Sequence, residues 1–546
     1  MILTQKQKEV GSIIVLVIVL IGNAFFLHFN AFRCFNFFDM GGFLDASWRI
    51  FCGQRPYVDF IYTSGPMHLY MNAFFFGLFG GFGKGAVLAH LIVVHSIVIT
   101  TTFLMVRQRI PFFVVMLVTL LTMTCFYWPV SHPWYDQSAH LWGILAVAVL
   151  TVRLPLRESR STFGVGLFCG IMAITAIMAK TNVGLAYGII FLIVFLVSSQ
   201  RIKAVAGYSV GALISLFLFA LLIGQPEKYL EQVIVGYGFY KSSRILELLN
   251  PLNWLVNFYW IPAAVAAVFL TSLDKTHREL CALFWGTMFV AIFSTYTSNL
   301  IRPANVPLWG TIMAMTFILL YKVPEKPLHD ITAKLFIGLF RIKDAVEVQY
   351  NDLFSPEKRP NIDFLNIFNG EKVNKSAIYF LTIFSLGLIA LFAYYGITLK
   401  VWTYMRPDPV GHYAIRTKAL EGWLCDQEKG ELLDMAADYI QKYIPTKDSL
   451  LILSDMQIIY AVTGRVSFPG VPFLFQAGDL PVPGRQVQQV KENIFRQPPD
   501  WILWNMEEPT FGRKLMQYLG IWERIQADYF PFKRWQFHVL LKRNPS

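Results

Sequence analysis

Repeated apolar runs constrain this chain more than any other feature. They lie near 11–29, 66–83, 86–106, 111–128, 138–153, 163–179, 183–198, 204–223, 253–272, 279–297, 303–321 and 376–399. Most approach the roughly 20 residues that a helix needs to cross a hydrocarbon core about 30 Å thick. Lipid offers the backbone no hydrogen-bond partners, so such runs must satisfy their own N–H and C=O groups as helices. The balance of residues agrees. The chain is 55% apolar and only 15% charged, against roughly 25% charged in soluble domains. These features describe a polytopic α-helical membrane protein. The net charge of +12 fits cytoplasmic anchoring and anionic lipid. No basic, aromatic-interleaved patch points to nucleic acid. The six cysteines form no CxxC or zinc pattern. Cys34 and Cys52 share one outer loop, where two thiols or one bridge would both fit.

The N-terminal stretch carries Lys6 and Lys8 and then an apolar core, with no A-x-A cleavage site after it. It reads as an uncleaved signal anchor whose N-terminus stays inside. Basic residues gather at Arg107 and Arg109, at Arg153, Arg157 and Arg160, at Arg201 and Lys203, at Lys275 and Arg278, and throughout 322–375. These clusters occupy alternate loops, and Lys and Arg favour the cytoplasmic side. They share that side with Lys6 and Lys8 only if one early run fails to cross. Residues 66–83 are the candidate, opening on Gly65-Pro66 and closing on GLFGGFGKG, since glycine weakens helix continuity. The expectation is about eleven crossings in a multi-pass protein of the inner or plasma membrane, with an outer C-terminus. Twelve crossings would put Arg107, Arg153, Arg157 and Arg160 outside.

Two regions follow. Residues 1–399 form the transmembrane domain, with a first outer loop at 30–85, a fourth at 224–252 and an inner loop at 322–375. Within that inner loop, 331–350 has the stripe of a helix lying on the membrane surface. Residues 400–546 form a small extracytoplasmic α/β domain. In it, EKGELLDMAADYIQKYIP is an amphipathic helix facing inward through Leu432, Leu433, Ala436, Tyr439, Ile440 and Tyr443. SLLILS and DWILWN read as buried strands, residues 485–496 and 510–519 as helices, and 535–542 as a last strand.

The outer loops hold the chemistry. FDMGGFLDASWRIFCGQRPYVDFIYTSGPMHLY (38–70) sets Asp39, Asp45, Asp59, Arg49, Arg55, Tyr57 and His68 among aromatic residues. The second outer loop, PVSHPWYDQ, has His132, Tyr135 and Asp136. The third has Lys180, the fourth Lys241 and Arg244, and the fifth Arg302. Each alone is consistent with a wet loop or a snorkelling side chain. Lys180 stands between two apolar runs, where a mid-membrane charge costs roughly 2.5–3.5 kcal/mol and normally faces a cavity or a partner. Together, carboxylates on two loops and cations on three others suit proton removal beside an anionic leaving group.

The pattern D-x-G, a helix-length gap, G-Q-R-P-Y-x-D-F and G-P resembles the first outer loop of GT-C superfamily membrane glycosyltransferases. It lies nearest the protein-mannosyltransferase and aminoarabinose-transferase-like branch, with bacterial members that decorate envelope glycans. AKTNVGL and DMQIIYAVTGR are similar to stretches of related bacterial members. The resemblance implies an inverting enzyme that moves a hexosyl or pentosyl group from a polyprenyl-phosphate donor to a lipid, protein or polysaccharide acceptor. Asp39 would be the general base and Asp136 a second catalytic carboxylate. Lys180, Arg302, Arg244 and Lys241 would bind the donor phosphate, and Tyr57, Asp59, His68 and Tyr135 would contact substrate. Many members have Asp-Glu where this chain has Asp39-Met40. The cofactor is therefore unknown, and the sequence does not support a divalent metal. Two other readings stand beside this one: a lipid-linked-glycan transporter or flippase without bond chemistry, and an envelope glycan polymerase or ligase.

Overall fold

The computed structural model describes residues 5–37, 39–127, 133–154, 156, 159–237, 278–297, 306–322, 370–397, 400–403, 406–409, 412–471, 491–506, 520–535 and 538–545. The run at 253–272, the surface helix expected over 331–350 and the helix expected over 510–519 lie outside the described residues.

Among the described residues, the N-terminal region is mostly helical. Its helices are α1 (Gln5–Ala31), α2 (Asp39–Phe51), α3 (Met67–Leu78), α4 (Lys84–Val106), α5 (Phe112–Cys125), α6 (Tyr135–Arg153), α7 (Ser159–Ala179), α8 (Thr181–Val197), α9 (Arg201–Ile223) and the short α10 (Pro226–Tyr229). A π-helical stretch, Leu230–Tyr237, continues α10. Then come α11 (Arg278–Thr297), α12 (Trp309–Lys322) and α13 (Gly370–Ile397). On α1 the large apolar side chains of Ile14, Val17, Ile18, Ile21, Phe25 and Phe29 are exposed, while Val19, Leu27 and Ala31 are buried. An apolar face this continuous on a helix of this length suits contact with lipid. Leu213, Phe217 and Leu221 give α9 the same outward face. Among the described residues, four helices are long and apolar enough to cross a membrane: Val10–Ala31, Lys84–Val106, Ser161–Ala179 and Arg201–Ile223.

Small residues set the helix packing. A Cβ on Gly166 or Gly170 of α7 would lie 2.2 Å from Ala204 O or 2.1 Å from Tyr208 O of α9. On α9, Gly207 and Gly211 meet Phe163 O and Leu167 O equally closely. Close backbone approach of this kind is how helices gain van der Waals contact where lipid removes the hydrophobic drive. The apolar run at 66–83 is cut short. Its helix, α3, has 12 residues and is about 18 Å long at 1.5 Å per residue. Gly80 and Gly81 then take positive φ values of 73° and 149°, which residues with a Cβ rarely adopt.

The C-terminal region begins with the antiparallel pair β1 (Lys400–Thr403) and β2 (Arg406–Pro409), then the short pair β3 (Tyr413–Ala414) and β4 (Leu424–Cys425). It continues with α14 (Gln427–Tyr443), β5 (Leu450–Leu453), α15 (Ile459–Thr463), β6 (Trp501–Asn505), α16 (Trp522–Asp528), β7 (Tyr529–Trp535) and β8 (His538–Arg543). The main sheet runs β5-β6-β8-β7, with β5 parallel to β6 and the other neighbours antiparallel. Asp426 caps α14 by accepting the Lys429 N–H at 3.2 Å. Leu432, Leu433, Ala436 and Ile440 are buried as their spacing requires, but Tyr443 is 54% exposed. Tyr443 is the last residue of α14, where the inward face runs out, so the inward role expected of it is corrected. Cys34 and Cys52 are not bridged to each other.

Candidate active site

The site is built around one residue that interrupts two helices. Lys180 takes an extended conformation (φ −148°, ψ 107°) between α7 and α8. Its N–H still bonds Ala176 O and its carbonyl still receives the Gly184 N–H, both at 2.9 Å. These two bonds span the bend, while the Val183 N–H turns to the Asn182 side-chain oxygen at 3.0 Å. The bend brings α8 so close to α7 that a Cβ on Gly184 would fall 2.0 Å from Ile177 N. This explains the glycine of the Lys-x-Asn-x-Gly stretch. Gly65 is needed for a similar reason, since its Cβ would lie 2.2 Å from Met178 O. The Gly65-Pro66 turn thus rests directly on the end of α7, beside Lys180.

The Lys180 ammonium forms an ion pair with Asp136 on the first turn of α6, and both residues are only 4% exposed. Asp136 Oδ2 also accepts the Trp134 indole N–H at 3.0 Å. The Lys180 Nζ stands 4.6 Å from the centre of the Tyr135 ring, within cation–π range. Trp134 and Tyr135 stack with centroids 5.0 Å apart. Phe43, from α2, meets both edge-on at 5.0 and 5.2 Å and meets His68 at 5.2 Å. His68 Nε2 lies 2.8 Å from the Tyr62 hydroxyl, and its ring lies 5.8 Å from Tyr135. The structure thus brings together Tyr135, Asp136, Lys180 and His68.

The loop between α2 and α3 backs this cluster. Tyr57, 2% exposed, holds a positive φ of 68° and donates its hydroxyl to Ser64 O. Burial, with Tyr229 and Tyr62 close by, raises its phenol well above the ordinary range, so it stays protonated. Gln232, on the π-helical stretch, donates to Tyr57 O and accepts from Tyr62 N–H, both at 3.0 Å. The Thr181 and Tyr229 hydroxyls pair at 3.1 Å. Asp59 accepts the Arg55 N–H at 2.7 Å and caps a turn, so it is not gathered with Lys180. Asp39 is the first residue of α2, one turn before Phe43; its side chain lies outside the described residues, as do Lys241, Arg244, Arg302 and His132. Among the described residues, no group of three His, Cys, Asp or Glu side chains is placed to hold a metal.

Sequence reasoning missed Phe43, Tyr62, Trp134 and Gln232. Trp134 had a usable signal, because it adjoins Tyr135 and Asp136. Phe43 follows Asp39 by one helical turn. Nothing local marks Gln232. As a unit, the cluster is a desolvated cation held by a carboxylate and walled by aromatic rings. That chemistry suits an anionic headgroup with an adjoining ring.

No protein-family model matches the chain, and no curated sequence matches it. Its structure is similar to ArnT from Cupriavidus metallidurans bound to undecaprenyl phosphate. The TM-score is 0.55, with 13% identity over 98% of this chain and 99% of that one. The apo form of the same ArnT matches with a TM-score of 0.52, at 13% identity over 98% and 100% of the two chains. The chain therefore has that fold over nearly its whole length.

Proposed function

We propose that this protein, built on the fold that ArnT shows, is an integral-membrane glycosyltransferase that uses a polyprenyl-phosphate sugar on the outer side of the membrane. The observation that carries the reading is the buried Lys180–Asp136 pair under Tyr135, packed through Phe43 against the helix that Asp39 opens.

Asp39 takes the proton from an acceptor hydroxyl. The acceptor oxygen then bonds to the anomeric carbon as the bond from that carbon to the phosphate oxygen breaks. The electron pair leaves with the polyprenyl phosphate, and attack from the opposite face inverts the centre. Lys180 stabilises the departing phosphate, and Arg302, Arg244 and Lys241 are assigned to the same anion. A preorganised donor in a dry site is worth about 2.7–4 kcal/mol of transition-state stabilisation. Asp136 holds Lys180 in place before the donor arrives. Tyr135 and His68 line the sugar side, while Tyr57 and Asp59 shape the supporting loop. The acceptor is a lipid, protein or polysaccharide of the envelope.

Purified protein incubated with a panel of polyprenyl-phosphate sugars tests the reading. Loss of sugar from one member, with polyprenyl phosphate released, is expected in the presence of an envelope extract. A transporter or flippase would move the lipid and leave every donor intact.

A further inference from the structure

The C-terminal region grips the first outer loop on both sides of Asp39. Upstream, the Phe35 N–H donates to Leu424 O at 2.7 Å and the Leu424 N–H to Phe32 O at 2.8 Å. Both phenyl rings stand edge-on to Trp423, at 5.0 and 5.1 Å. Downstream, Gly41 packs on Ile458, where a Cβ would lie at 3.5 Å. Trp48 Nε1 donates to Arg465 O at 2.7 Å. Residue 39 thus sits between two fixed points, four residues after Phe35 and two before Gly41.

A dry charge pair lies at the centre of this contact. Arg49 Nε bonds Asp45 Oδ2 at 2.8 Å, and both side chains are fully buried. Arg49 Nη1 donates to Phe468 O at 2.8 Å, and Ser467 Oγ donates to Asp45 Oδ1 at 2.7 Å. The guanidinium lies 5.4 Å from the Phe60 ring and 5.8 Å from the Tyr460 ring. Further on, Gln54 Nε2 donates to Ser467 O at 2.6 Å and the Gly470 N–H to Asp59 O at 2.7 Å.

A buried ion pair adds little net stability over well-packed apolar residues of the same volume, and its better-attested use is to fix register. Apolar packing would let α2 turn or slide by a fraction of a residue. The hydrogen bond that Arg49 donates to Phe468 O and the one that Asp45 accepts from Ser467 do not. We infer that Asp45, Arg49 and Ser467 are positioning residues that set the first turn of α2, and with it Asp39, against the Lys180 site. This inference rests on the glycosyl-transfer reading with Asp39 as base. It makes the C-terminal region part of the catalytic geometry instead of a tethered acceptor module.

Arg49→Lys keeps the charge and loses the planar fork, while Ser467→Ala removes one hydrogen bond. For Arg49→Lys, kcat should fall ~10- to 100-fold, because misplacement by 1 Å is worth up to that factor. Ser467→Ala should show a smaller loss in the same direction. KM for the polyprenyl-phosphate sugar should hold near the parent value, because none of the residues assigned to the phosphate is on α2 or bonded to the Asp45–Arg49 pair. The limb of the kcat–pH profile that reports the base should move. Arg524→Gln, an exposed partner of Asp528, is the control expected to behave as the parent. Rates are normalised to folded protein by donor binding. A parent-like kcat for Arg49→Lys, or a fall matched by an equal rise in KM with an unmoved pH limb, overturns the inference. If Asp39→Asn is inactive and Arg49→Lys is at parent rate, only the positioning role fails. If Asp39→Asn keeps full activity, the base assignment fails and takes this inference with it.

Discussion

Replacing Lys180 with Met removes the cation and leaves the Asp136 carboxylate in a site that is 4% exposed. Breaking a buried pair from one side destabilises by about 3–5 kcal/mol, because the remaining charge has lost its main compensation. Adding Asp136→Asn removes that charge and keeps an acceptor for the Trp134 indole, which now bonds Asp136 Oδ2 at 3.0 Å. The double variant should therefore recover to within about 1–3 kcal/mol of the parent, the scale of an imperfectly satisfied buried polar group. Unfolding of the four proteins in detergent micelles gives the coupling energy directly. Activity should follow a different pattern. Both proteins lacking Lys180 should lose about 10²- to 10³-fold in kcat, as expected for deletion of one preorganised donor to the leaving phosphate. Destabilisations that simply add in the double variant would refute the pairing argument. Turnover restored together with stability would refute the phosphate role.

Gly65→Ala, which drives a Cβ to 2.2 Å from Met178 O, should destabilise by at least the 1–3 kcal/mol typical of overpacking. Gly77→Ala meets nothing within 4 Å and should be tolerated, as thermal melts of the two proteins would show. Gln232→Ala strips partners from Tyr57 O and Tyr62 N–H, at about 1–3 kcal/mol for each buried group left unsatisfied. Gln232→Glu, which buries a carboxylate with one oxygen facing Tyr57 O, should lower protease resistance of the loop at least as far as Ala does. Burial holds His538 down to about 4 from an ordinary 6.5, beside Ser454 Oγ at 2.8 Å and near Asp455 and Lys429. A depressed folded value means that its stability is complete above pH 6.5. Stability is then lost toward pH 4, with a slope approaching ~1.4 kcal/mol per pH unit. His538→Gln should flatten that part of the melting-temperature profile.

Long periodic stretches were legible because many residues vote for one element. The runs at 86–106, 163–179, 183–198 and 204–223 correspond to α4, α7, α8 and α9, and SLLILS and DWILWN contain β5 and β6. The ends were harder. Tyr443 has the right spacing but falls on the last residue of its helix, and Gly80-Gly81 stop α3 earlier than hydropathy alone would. In the site, residue types were readable and their pairing was not. Lys180 and Asp136 each looked like an isolated anomaly, and only the bend at Lys180 aims one at the other. Asp59 reads as a substrate contact in sequence, and one of its oxygens accepts the Arg55 N–H. Asp45 and Arg49 are an ordinary i,i+4 pair in sequence. Their second partners lie 422 and 419 residues away, beyond the reach of any local signal.

In the proposed reaction a polyprenyl-phosphate sugar is split with Asp39 as the base. Single-turnover release of polyprenyl phosphate, measured for the parent and for Asp39→Asn with the active donor and its acceptor, tests it most directly. The account predicts a burst from the parent and none from a folded, donor-binding Asp39→Asn. Equal bursts from both would contradict it.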